Sequence, residues 1–126
     1  DDENYASAYS SGDIIGIALD LDNNKLYFSK NGQWSNGSGS WDSTTFNSST
    51  GVVTITAPAS TNNGHYLFAS GDYQGGAAPT FEWNFGGTQS FTISSGNADD
   101  NGYGNFEYDV PTGFYSLNTK NLAEFG

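Results

Sequence analysis

A two-residue period runs through this chain and leaves it one way to fold. Phe81, Trp83 and Phe85 alternate with Thr80, Glu82 and Asn84. Successive side chains on a strand point to opposite faces, so such a segment presents one aromatic face, expected to belong to the core, and one polar face. Residues 13–21 carry the same period, with Ile15, Ile17, Leu19 and Leu21 on one side and Ile14, Gly16, Ala18 and Asp20 on the other. Asp22, Asn23 and Asn24 follow, then Leu26, Tyr27 and Phe28 resume the alternation, which predicts a β-hairpin. Asn31-Gly32 predicts a second tight turn leading into Gln33 and Trp34.

Further strands are expected over residues 52–56, 66–69, 91–94, 106–110 and 113–117, separated by Gly, Asn and Pro. The polar stretch 35–51, with Trp41 and Phe46 as its only bulky residues, reads as a long loop, and residues 96–104 as a flexible acidic one. About eight short strands with frequent turns predict an all-β, antiparallel β-sandwich. The expected order is a lead-in over 1–12, the sandwich over 13–122 and a tail over 123–126.

Composition supports one aromatic core in one domain. Only 35% of the 126 residues are hydrophobic, yet 9 Phe, 8 Tyr and 3 Trp are present, alongside 17 Gly. A chain so rich in turn formers and large rings favours sheets over long helices. Three Lys and no Arg stand against 14 acids, a net charge of -11, so neither a nucleic-acid backbone nor an anionic membrane is expected as a partner. No apolar run approaches the roughly 18 residues of a membrane helix. The absence of Cys excludes a disulfide, a thiolate zinc site and a cysteine nucleophile. Met is also absent, so Asp1 is read as an internal residue of a longer protein.

The run GDIIGIALDLDNNKLYFSKNGQW, residues 12–34, resembles the most recognisable stretch of the SPRY family. Later landmarks occur in that family's order: residues 66–69 (YLFA), 82–86 (EWNFG), 111–114 (PTGF) and 117–122. The resemblance implies a concanavalin-like β-sandwich of SPRY type, serving as a non-catalytic binding module with no cofactor and recognising a protein or glycan through its loops. The closing segment, residues 113–126, looks more like phage and environmental viral members, which implies a virion or extracellular structural protein, as a capsid-decoration or tail-fibre part. The strands that precede the GD-[IV]-IG element in the family are missing here. A sandwich incomplete without upstream or partner strands would leave an apolar face and an edge open, and a neighbouring chain would have to cover them. The chain is accordingly expected to elute as an oligomer.

Binding is expected at aromatics in or beside loops, where rings stack or fill pockets among hydrogen-bonding amides. Trp34, Trp41, Tyr73 and Tyr103 are the chosen candidates, with Tyr5 and Tyr9 as further members; packing onto the sandwich ends is the commoner fate of such rings. No metal site is expected. Asp20, Asp22, Asn23 and Asn24 lack the glycine and closing glutamate of a calcium-binding EF-hand loop, and Asp99-Asp100 with Asn97 and Asn101 offers at most a weak cation loop. Glu82 and Glu107 are the one pair that could serve a carbohydrate-processing enzyme, as acid and nucleophile, if their strands were neighbours. His65 is the sole histidine, and no G-x-S-x-G serine accompanies it. Asn36 and Asn47 match glycosylation acceptor patterns and read as ordinary loop residues. The alternatives to a binding module are thus a glycosidase and a purely structural scaffold subunit.

Overall fold

The computed structural model describes residues 7–71 and 78–125. Its regular structure is dominated by a single antiparallel sheet of five strands: β1 Ile15–Asp20, β2 Lys25–Lys30, β3 Gln33–Ser35, β4 Trp41–Ser43 and β5 Val52–Thr54. One short α-helix, α1 Thr119–Phe125, and a 3-10 turn at Pro58–Ser60 are the helical elements among the described residues. The chain is therefore all-β in class.

β2 is the spine of the sheet. β1 lies along one edge with Ile17 opposite Phe28 and Asp20 opposite Lys25. The other edge is shared: β3 takes Ser29 and Lys30, and β5 takes residues 25–27. The β1–β2 connection is closed by Asp20, whose carboxylate accepts from the Asn23 backbone N–H at 2.9 Å and its amide at 2.8 Å, while Asn24 adopts φ 55°. At the β2–β3 connection Asn31 and Gly32 have φ 50° and 76°, the left-handed pair that a two-residue hairpin needs to match strand twist. A Cβ at Gly32 would also lie 2.6 Å from the Tyr108 ring.

One face of this sheet carries the core. Tyr27, 2% exposed, stands on it with Ala18 and Ser29. Phe46 meets Tyr27 edge-to-face at 4.9 Å, Trp34 at 5.0 Å and Phe114 at 5.3 Å. The quadrupoles of aromatic rings favour this geometry, each pair adding about 0.5–1.5 kcal/mol beyond the area it buries. The Tyr27 hydroxyl donates to the Ser48 carbonyl at 3.1 Å, so the one polar atom of the ring is satisfied. Gly51 lets the segment turn beneath β3: at φ 59°, a Cβ there would stand 2.1 Å from the Ser35 carbonyl oxygen.

Several sequence expectations are corrected. The stretch 35–51 contains β4, and α1 runs from the end of the expected sandwich into the expected tail, capped by Asn118, whose Oδ1 accepts from the N–H groups of Lys120 and Asn121 at 3.0 and 2.9 Å. The expected strands at 66–69, 80–85, 91–94 and 113–117 form no ladder, and residues 106–110 contribute one isolated bridge, Asn97 with Phe106. In their place polar side chains bind backbone. Asn84 donates to the Asn105 carbonyl at 2.8 Å, and Asn97 donates to the carbonyls of Phe106 and Glu107. Short polar side chains compete with ladders for the same backbone groups, and this half of the chain is dense in them.

Asp99 is the hub of that network. Its buried carboxylate accepts from the N–H groups of Asn101 and Tyr103 through Oδ1, and from the Ser116 N–H and hydroxyl and the Asn121 amide through Oδ2, at 2.6–3.0 Å. Burial by itself raises the carboxyl's pKa, but these bonds, those of Ser116 foremost, outweigh it and hold the group at about 2. A folded value below the unfolded one of about 3.9 means that the carboxylate contributes stability above the unfolded value and loses it as pH falls through about 2.

Asp99→Asn is expected to lower the unfolding free energy by on the order of 2 kcal/mol at pH 7, with the gap to wild type narrowing between about pH 4 and pH 2. Urea unfolding at a series of pH values checks this; a gap independent of pH would contradict it. Tyr27→Phe is expected to cost about 1 kcal/mol for the lost hydroxyl bond, and Tyr27→Ala about 3–5 kcal/mol for the emptied core. The same unfolding measurement ranks the two.

Candidate functional site

The sheet face opposite Tyr27 is apolar and, among the described residues, open along β1. β1 and β2 place Ile15, Ile17, Leu19, Leu26 and Phe28 on it by alternation, and Ile55 extends it just beyond β5. Ile15 and Ile17 are 38% and 36% exposed, against 2% for Tyr27 on the other face. Residues 66–69 run beside these side chains and bound a cavity of about 180 Å³ lined entirely by apolar and aromatic residues. Tyr66 fastens this wall to the sheet by donating its hydroxyl to the Thr56 carbonyl at 2.5 Å.

The aromatic alternation of residues 80–85 joins the same surface. Trp83 and Phe85 lie parallel, 5.6 Å apart with 2° between their planes, and Phe68 tilts against both at 6.2 and 5.8 Å. The polar positions between them are tied elsewhere: Glu82 accepts from the Ser90 hydroxyl at 2.5 Å, and Asn84 bonds the backbone of Asn105 and Gly86. Trp83 and Phe85 therefore share a side, as the alternation predicts, but the expectation that Phe81, Trp83 and Phe85 belong to the core does not hold. These rings are 38–40% exposed, and Leu67, next to Phe68 in the chain, is 81% exposed. Alternation reports which side chains share a face; it does not supply a second layer to cover them.

The aromatics chosen from loop position have other surroundings. Trp34 sits in β3, on the Tyr27 side, with its ring against Phe46. Trp41 sits in β4 and donates its indole N–H to the Ser7 carbonyl at 2.9 Å. Tyr103 donates its hydroxyl to Glu124 at 2.6 Å and carries the Lys120 ammonium 4.4 Å above its ring, so α1 holds it at both ends. The Glu124 bond favours the protonated phenol and raises its pKa. Tyr9 is exposed. Tyr73 and Tyr5 lie outside the described residues. An open apolar face is expected of an incomplete sandwich, but its residues were not among the binding candidates, because its aromatic members occupy strand-like positions rather than loops.

The acidic groups are engaged in holding loops. Asp99 and Asp20 are bound as described above, and Asp100 accepts from the Gly113 N–H at 2.9 Å. Among the described residues no three His, Asp or Glu side chains gather into a metal-binding group. Glu107 accepts from the Ser94 N–H and hydroxyl and from the Ser95 hydroxyl, bonds that hold its carboxyl below the usual range. His65 Nδ1 pairs with the Asn63 carbonyl within its own turn. No protein-family model, curated protein or solved structure matches this chain.

Proposed function

We propose that this chain is a non-catalytic binding module that docks a protein partner on the open face formed by β1, β2, residues 66–69 and the Trp83–Phe85 pair. The single observation that carries the reading is the continuity of that face. Exposed Ile17, Leu67 and Phe68 line one apolar cavity, Trp83 and Phe85 pack against Phe68, and Ile15 extends the same face of β1, an arrangement that costs free energy in water and is recovered when a partner covers it.

The chemistry of the lining favours protein over glycan. Sugar sites pair a stacking ring with amides or carboxylates that bond the hydroxyls, whereas this cavity is lined by Ile, Leu, Phe, Ala and a Tyr whose hydroxyl is already engaged. On this reading the five-stranded sheet is one layer of a concanavalin-like β-sandwich, and the partner contributes to the other. The likeness of residues 113–126 to viral members supports a place in a virion or extracellular structural protein.

Trp83→Ser combined with Phe85→Ser is expected to weaken partner binding at least about tenfold while leaving the far-ultraviolet spectrum unchanged. An array of identified proteins and polysaccharides, probed with both chains, reads this out. Binding that survives the double substitution but is lost in Trp34→Ser or Trp41→Ser would move recognition to the loop ends. Reducing-sugar release abolished by Glu82→Gln would replace the binding reading with a glycosidase.

A further inference from the structure

β1 leaves one edge of the sheet unpaired among the described residues. The phase of its pairing fixes which backbone groups face that edge. The Asn31 N–H donates to the Ile14 carbonyl at 2.8 Å, so in the antiparallel register Gly16, Ala18 and Asp20 turn their N–H and C=O toward β2. Ile15, Ile17 and Leu19 turn theirs outward. The same three residues carry their side chains on the open apolar face, so main-chain valence and apolar surface coincide along one line.

A helix or a loop covering this face would leave the outward N–H and C=O groups to water. An extended strand satisfies both requirements, completing the ladder while every second side chain descends onto the face beside Leu67. Charge then selects the strand. The chain carries a net charge of -11, and three acids bracket the edge, Asp13, Asp20 and Asp22, against two lysines, Lys30 at 3.8 Å from Asp13 and Lys25 opposite Asp20. A second copy pairing through β1 would centre on Ile17 and set Ile15 opposite Leu19. That register brings Asp13 of each copy beside Leu21, between Asp20 and Asp22 of the other, at both ends of the contact. Two strongly acidic bodies would be held together against this repulsion.

We infer that β1 receives an extended segment of a different protein, one that alternates apolar residues with Lys or Arg and adds to the sheet edge as a sixth strand. This rests on the proposal that the open face is the recognition surface, and it adds the conformation and charge of what binds there.

Panning a random-sequence peptide library against the immobilised full chain tests it, with the enriched peptides measured by calorimetry. The expected consensus has apolar residues at every second position and net positive charge, and its affinity falls as salt rises. Methylating alternate backbone nitrogens of such a peptide in the phase that faces β1 is expected to cost at least about tenfold in affinity, and methylation in the other phase little. Ile17→Pro, which removes an outward N–H and no bond to β2, is expected to reproduce that loss. Peptides that need Trp83 and Phe85 but tolerate methylation in both phases would overturn strand addition and leave the face intact as a binding site. An absence of any enriched peptide, or a concentration-dependent dimer by light scattering that is abolished by Ile17→Pro, would overturn the inference outright.

Discussion

Edge-to-face packing of Phe46 and Phe114 on Tyr27 is the interaction on which the rest of the described structure depends. It draws together three positions far apart in the sequence and closes one side of the sheet over a ring that is almost wholly excluded from water. With Tyr27 and Ala18 the only hydrophobic residues so deeply buried among those described, the core is small, and its aromatic rings supply area that the few aliphatic residues cannot. The β2 backbone is paired on both edges, while Tyr27 and Ser29 on one face are buried more deeply than Leu26 and Phe28 on the other. Everything notable about the other face follows from that asymmetry.

A small core also explains why polar side chains carry so much of the remaining structure. Beyond β5 the chain is held by Asn, Ser and Asp bonds to backbone, with Asp99 joining residues 101–103 to Ser116 and α1. Each such bond adds little on its own, but a buried carboxylate with five donors fixes geometry, since losing any partner leaves a charge or a donor stranded. The network positions residues 80–85 without pairing them: Asn84 is tied to Asn105, and Trp83 and Phe85 are left facing outward. A ladder in that segment would demand a neighbour strand, and none of the described residues provides one.

The local half of this architecture was legible in the sequence. The β1–β2 hairpin and the Asn31-Gly32 turn are decided within a few residues, by alternation and by side chains that tolerate positive φ, and both stand as expected. Long-range facts were not legible. Alternation over 80–85 put Trp83 and Phe85 on one side, and 66–69 is an unbroken apolar run, yet a strand also needs a partner, and no local pattern announces one. β4 was missed because three residues around a single Trp carry no period. The helix was missed although Asn118 offers a cap, because Thr119 and Asn121 are weak helix formers. The loop aromatics illustrate the same limit, since Trp34 and Tyr103 found neighbours, Phe46 and Glu124, that lie 12 and 21 residues away.

Amide hydrogen exchange along β1 addresses the central claim most directly, because adjacent residues there turn their backbone groups in opposite directions. In the free chain the N–H groups of Gly16, Ala18 and Asp20 are predicted to be protected by β2, and those of Ile15, Ile17 and Leu19 to exchange rapidly with water. Equal protection of all six would mean that the edge is already occupied, and would contradict the account of an open sheet awaiting its partner.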